Sequence, residues 1–275
     1  MKLAVNYSPQ ASELVRSGEI QIDLFKCFDD PEVAAKAQSE LACYVHFSLY
    51  AGRGEMGQVD WDQLNALLES TATPYVNVHL GPRASDFGDM PLDTREPRHR
   101  AELMDAMRRD IDAVLARFEP RQVILENVMW DPEPAWLIPR PVLEPEVISQ
   151  VVRESGCGLI LDLAHADISA RHFDVDTKQY VSALPMDQLR ELHVTGVRMD
   201  ENGLWKDHHP LEGRDWELLE WAMERIQRAD WPEPWAVTFE YGGVGADYEA
   251  HTDKNMLAEQ VPRLTGYVSS ATRSE

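Results

Sequence analysis

The sequence predicts an α/β protein of one domain, residues 1–275, folded as a (β/α)8 TIM barrel. Three observations predict it. A length of 275 residues suits a single barrel, because domains run to roughly 100–200 residues and lone barrels often to about 250. Eight short apolar runs recur from end to end, with stretches of helical period between them. No G-x-G-x-x-G follows the first run, as it would in a doubly wound dinucleotide-binding sheet.

In chain order the runs are 3–7 (LAVNY), 20–26 (IQIDLFK), 42–47 (ACYVHF), 75–80 (YVNVHL), 122–127 (QVILEN), 158–163 (GLILDL), 189–194 (LRELHV) and 235–241 (WAVTFEY). Each is rich in Val, Ile, Leu or aromatics and too continuous for a strand with one wet face. That is the pattern of a parallel strand covered on both sides. Between the runs, Leu64, Leu67 and Leu68 form a short helical stripe. Leu103, Met107, Ile111, Val114 and Phe118 form a longer one on a helix of residues 97–118. Leu218, Leu219, Ala222, Met223 and Ile226 repeat the pattern after Asp215, a candidate N-cap. The longest irregular segments, 81–96, 128–144 and 195–215, all follow strands, on the face where barrels keep their active sites.

Composition narrows the class. A hydrophobic fraction of 44% excludes wholesale disorder, and no run approaches the roughly 18 apolar residues of a membrane span. The opening MKLAVNYSPQ reaches polar residues too soon for a signal-peptide core, and Cys27, Cys43 and Cys157 show no C-x-x-C spacing. A cytoplasmic setting is therefore expected. With 26 basic against 48 acidic side chains, the net charge of −22 disfavours nucleic acid and anionic membranes as partners. The expected substrate is a small molecule or a short peptide, with the oligomeric state left open.

Chemistry concentrates at the strand ends. The third run carries His46, the fourth His79, the fifth Glu126 and the sixth Asp162, with His165 three residues on. The seventh carries His193, followed by Asp207 and His209 in KDHHPLEG, and the eighth carries Glu240. One such residue is ordinarily a hydrogen-bonded structural group. Six successive strands delivering His, Asp or Glu to the catalytic end are harder to explain without a cation, because each unpaired buried charge costs several kcal/mol. Five histidines and four carboxylates exceed one tetrahedral ion's needs and suit two or three divalent transition metals, with Zn favoured and Mn or Fe compatible. His208 reads as a spacer. Lys26, Arg83, Arg95, Arg98 and Arg100 are candidates to receive an anionic substrate, and Trp130 and Trp205 to stack on it.

These segments resemble the xylose-isomerase-like barrel superfamily, and within it most the endonuclease IV group. VHFSLY, VNVHLG, ILENV, LDLAHA, LHVTG, DHHPLEG and FEY resemble that group's metal-binding segments in type and order, over roughly residues 40–245. The resemblance implies that His46, His79, Glu126, Asp162, His165, His193, Asp207, His209 and Glu240 hold the metals. It makes Glu126, Glu240 and His209 the candidate catalytic residues. Leu80 replaces a proline of that group, and Thr195-Gly196 its Asn-Asp. Multinuclear iron-dependent oxidases that modify peptides are also similar, through VNYSPQASELVRSGEIQIDLF, but their Asp-x-Asn-Asn strand is LDLAH here.

The favoured expectation is hydrolysis of a phosphoester of a small, non-DNA substrate by a metal-activated water. One alternative is a sugar isomerase or epimerase with a single divalent ion on Glu126, Asp162, His193 and Glu240. Another is an iron-dependent oxidase of a peptide or small molecule. A barrel scaffold with one structural metal is the non-enzymatic alternative. Glu240→Gln keeps volume and shape, so it is expected to leave folding native-like while removing an ion and activity.

Overall fold

The computed structural model describes residues 1–249 and 251–271. The chain divides into two compact units interleaved along the sequence. The first holds Met1–His46, Asp62–Pro74 and Arg190 onward; the second holds Phe47–Trp61 and Tyr75–Leu189. The strands are β1 (Lys2–Asn6), β2 (Leu24–Phe28), β3 (Cys43–His46), β4 (Tyr50–Ala51), β5 (Val76–Leu80), β6 (Val123–Glu126), β7 (Gly158–Asp162), β8 (Leu189–Val194), β9 (Gly196–Met199), β10 (Trp205–His209) and β11 (Ala236–Phe239).

In the first unit they lie in the order β3-β2-β1-β11-β8, every neighbouring pair parallel. In the second the order is β4-β5-β6-β7, again parallel throughout. Among the described residues, β9 and β10 pair only with each other, as an antiparallel hairpin. Helices Pro9–Ser17, Pro31–Gln38, Trp61–Ser70, Pro97–Leu115, Pro145–Ser155, Leu163–Phe173, Gly213–Gln227 and Lys254–Ala271 alternate with the strands. Parallel strands need such crossovers, and the helices bury the strands' outer faces. Leu3, Val5, Phe25, Val45, Val78, Leu125, Leu159 and Leu192 are accordingly almost fully buried. No helix among the described residues is long and apolar enough to cross a membrane.

The eight expected strands appear in order, most within two residues of the expected bounds. The second is displaced, to Leu24–Phe28 from 20–26. Helix Pro9–Ser17 ends at Gly18 in the left-handed conformation, and the amides of Glu19 and Ile20 both donate to the carbonyl of Leu14. Ile20 is thus the buried residue that closes a helix, and the strand starts only after Asp23. The long helix spans Pro97–Leu115 and buries Leu103, Met107, Ile111 and Val114, whereas Phe118 lies beyond its end. Asp215 is not the N-cap of its helix. Glu212 holds that position, and Asp215 accepts the Glu212 amide at 2.9 Å as the other half of a capping box.

Candidate metal centre

In the second unit the sheet brings four of the expected ligands to one end of adjacent strands. His79 and Glu126 are register partners at the ends of β5 and β6. The His79 Nε2 lies 3.4 Å from the Glu126 Oε2. Asp162 ends β7 and doubles as the N-cap of Leu163–Phe173, its Oδ1 accepting the His165 amide at 2.8 Å. The cap explains the D-x-x-H spacing. The N3 residue of a capped helix stands one turn above the capping carboxylate, so strand end and helix start deliver both side chains to one point. Glu126, Asp162 and His165 each offer a ligand atom within 4.8 Å of the other two.

Two of these rings are held by main-chain carbonyls. The His79 Nδ1 is 3.0 Å from the Leu49 carbonyl, and the His165 Nδ1 is 2.8 Å from the Asn127 carbonyl. A carbonyl only accepts, so each Nδ1 carries the proton. For His79 this leaves the Nε2 lone pair facing Glu126, the arrangement found behind metal-bound histidines. In His165 it is the Nδ1 itself that lies nearest the carboxylates, 3.7 Å from the Glu126 Oε1 and 3.8 Å from the Asp162 Oδ2. Tyr50 stacks on the His79 ring at 4.6 Å. Asn127 fastens the next strand by accepting the Asp162 amide at 2.9 Å and donating to the Asp162 carbonyl at 3.0 Å. Glu126 and Asp162 are both buried. Two carboxylates and two imidazoles make a nitrogen-and-oxygen donor set that fits a divalent transition metal. Cys27, Cys43 and Cys157 are buried on or beside β2, β3 and β7 as free thiols and contribute nothing to it.

In the first unit, β3, β8 and β11 place His46, His193 and Glu240 at their ends. The His193 Nδ1 lies 3.0 Å from the Glu240 Oε1, and the His46 and His193 rings are 5.2 Å apart. Lys26 on β2 forms a buried ion pair with the Glu240 carboxylate. Its charge therefore serves Glu240 directly, which differs from the expected role as a receiver of anionic substrate. Arg83 is engaged with Glu55 and Asp86, and Arg100 with Glu144.

Asp207 and His209 sit on β10 of the hairpin, and no group of three donors among the described residues includes them. Burial, reinforced by the positive charge of Arg198, holds the His209 imidazole below its ordinary pKa, so it is neutral at neutral pH. His208 is more than a spacer. It takes a left-handed backbone conformation, and its Nδ1 lies 2.8 Å from the Glu240 carbonyl, tying the hairpin to the end of β11. Trp130 stacks on His172 at 3.8 Å, and Trp205 pairs with Met199 in the hairpin. Sequence reasoning assigned no role to Asn127 or Glu191. The signal for Glu191 was available: it stands two residues before His193 on one strand, hence on the same face.

A sequence profile of the family described as "RiPP precursor modification enzyme MbnB/TglH/ChrH" matches residues 45–233, well over half of the chain. The chain belongs to that family. The matched segment contains eight of the nine expected ligands and leaves out Glu240, together with Lys26. Among curated relatives, a UPF0276 protein of Vibrio parahaemolyticus is 26% identical over 199 residues, 69% of this chain and 66% of that protein. A UPF0276 protein of Paraburkholderia phytofirmans is 41% identical over 89 residues, 30% of this chain and 29% of the relative. The chain thus spans between about a third and two thirds of the length of these relatives.

Among solved structures, endonuclease IV from Thermus thermophilus superimposes with a TM-score of 0.55 at 14% identity, covering 98% of this chain and 100% of that one. A xylose isomerase domain protein from Alicyclobacillus acidocaldarius gives 0.58 at 16% identity, covering 99% of each chain. At such identities the likeness concerns fold. It is that of the xylose-isomerase-like (β/α)8 barrels, as expected from the sequence. The family is described as one of precursor-modifying enzymes, and the solved structures speak for the fold alone.

Proposed function

We propose that this MbnB/TglH/ChrH family member is a metal-dependent oxidase that modifies a peptide, with iron as the working metal in a site of two or three ions. The observation that carries this reading is the Glu126–Asp162–His165 cluster, with His79 beside it, inside the segment matched by a family of peptide-precursor-modifying enzymes. Bound iron supplies redox chemistry with O2, which no side chain here can supply.

The chain's own groups do the rest. Glu126 and Asp162 bring negative charge, His79 brings an oriented lone pair, and His165 brings a second imidazole beside them. The carbonyls of Leu49 and Asn127 hold those rings so that binding costs little reorganisation. In the first unit, Lys26 and His193 flank the Glu240 carboxylate, and the Lys26 ammonium offsets its charge. A net charge of −22 favours a peptide without excess negative charge.

Phosphoester hydrolysis, the first expectation from the ligand order, predicts a different outcome in the same assay. The purified protein is loaded with Fe2+ or Zn2+ and incubated with peptides encoded beside its gene, or with p-nitrophenyl phosphate. An O2-dependent mass change of a peptide by the Fe2+ form is expected. Phosphate release by the Zn2+ form, without O2 and without peptide modification, would replace the oxidase by the hydrolase.

A further inference from the structure

Three strands of the first unit carry polar residues in pairs two positions apart: Tyr44 and His46 on β3, Glu191 and His193 on β8, and Thr238 on β11 with Glu240 just past its end. Alternation puts both members of a pair on one face, so the unit has an upper layer of expected ligands and a polar layer beneath it. The lower layer is buried, with Tyr44 at 2%, Glu191 at 3% and Thr238 at 0% exposure.

A carboxylate in such a place is costly unless its oxygens are used. One oxygen of Glu191 is used three times, most weakly by the Thr238 hydroxyl at 3.5 Å. Its Oε1 accepts the Tyr44 hydroxyl at 2.6 Å and lies 2.8 Å from the His193 Nε2. The Tyr44 oxygen in turn lies 2.7 Å from the Thr238 hydroxyl, so the three strands are joined beneath the ligand layer.

We propose that Glu191 is the positioning residue for His193: it accepts the Nε2–H, and by fixing that nitrogen as the donor it presents Nδ1 to the metal side beside Glu240. Of the ring's two nitrogens, Nε2 has hydrogen-bond geometry to a carboxylate oxygen and therefore carries a hydrogen toward Glu191. The contact of Nδ1 with the Glu240 Oε1, at 3.0 Å, lacks that geometry, so Nδ1 is the nitrogen turned to the ion side. Tyr44 holds the carboxylate in turn. Because it stands two residues before His46, one hydroxyl–carboxylate contact registers both histidines. The link to a metal rests on the reading above; the orientation of His193 does not.

Both parts are tested on the full chain. Long-range 1H–15N spectra of metal-free, 15N-histidine-labelled protein report which nitrogen of His193 carries hydrogen. Co2+ titration followed by visible absorbance reports affinity. In the wild type, Nε2 is expected to be protonated. E191L, similar in size but unable to accept, is expected to lose the low-field Nε2–H resonance. It is also expected to bind Co2+ about ten- to a hundredfold more weakly, with thermal unfolding still cooperative. E191Q keeps an acceptor oxygen and should stay within about threefold of wild type. A purely structural Glu191 would lower stability in E191L and leave Co2+ affinity at the wild-type value; that result, or a bare Nε2 in the wild type, overturns the proposal. If the wild type takes up no Co2+ at all, the metal reading fails, and the spectrum alone decides the role of Glu191. Should E191L not fold, Y44F loosens the same carboxylate and is expected to shift the Nε2–H resonance; an unmoved resonance counts against the proposal.

Discussion

At Glu240 two demands meet. Its carboxylate faces the His193 Nδ1 at 3.0 Å and is also the ion-pair partner of the buried Lys26 ammonium. Read from sequence, Glu240→Gln should be silent for folding. With Lys26 in place it is not, because removing one charge of a buried pair leaves the other uncompensated, at a cost of about 3–5 kcal/mol. Urea unfolding of Glu240→Gln is therefore expected to show a loss of that order, along with at least one bound ion. Lys26→Met combined with Glu240→Gln should restore part of the stability, with a coupling of about 1–3 kcal/mol in a double-mutant cycle. Additive losses would mean that the two side chains do not depend on each other. In the second unit the most informative residue is Asn127, whose amide grips both main-chain groups of Asp162. Asn127→Ala leaves a buried N–H and C=O without those partners, and about 2 kcal/mol of destabilisation should accompany weakened metal binding.

Among the elements, the turn after β4 and the hairpin depend on close backbone approach. Asp110, buried on helix Pro97–Leu115, accepts the amides of Gly52 at 2.7 Å and Gly54 at 2.9 Å. It anchors the segment that bears Tyr50, and Tyr50 stacks on His79. Asp110→Ala should cost about 2–4 kcal/mol, since charge-assisted bonds are lost and two amides are left unsatisfied. Amide exchange at Gly52 and Gly54 should accelerate selectively, and uniform acceleration across the chain would contradict this local role. In the hairpin, a Cβ on Gly196 would stand 2.0 Å from the Pro210 carbonyl oxygen. No side chain fits between these backbones, which accounts for glycine where the resembling group has a larger residue. Gly196→Ala is expected to open the hairpin, costing about 1–3 kcal/mol and displacing His209.

For the molecule as a whole, charge and metal content are the quantities to measure. Nine candidate ligands predict two or three transition-metal ions per chain in protein purified without chelator, counted by elemental analysis. One ion, with His46 and His79 unaffected by its removal, would favour the isomerase-type site. Any ion held only by the folded chain stabilises it by mass action, so chelation should lower the melting temperature. Three divalent ions offset at most six of the 22 net negative charges, which leaves a surface that repels phosphate polymers. Tight binding to duplex DNA at physiological salt is not expected. Sub-micromolar affinity for abasic duplex would mean that local basic residues such as Arg95 and Arg98 overcome the net charge.

Much of this was present in the sequence. Continuous apolar runs mark doubly covered parallel strands because burial on both faces leaves no place for polar alternation. Strand ends in a barrel are where chemistry gathers, so His79, Glu126, Asp162 and His165 could be named in order. Only tertiary structure decided how those groups are held. The displaced second strand followed from how a helix end satisfies its amides. The pairing of Lys26 with Glu240 and the carbonyls behind His79 and His165 join residues up to 214 positions apart, from Lys26 to Glu240. Hydrogen bonds between distant strands have no period in the chain. They exist only once the sheet has set its register, and register places a polar residue under a ligand or beside it.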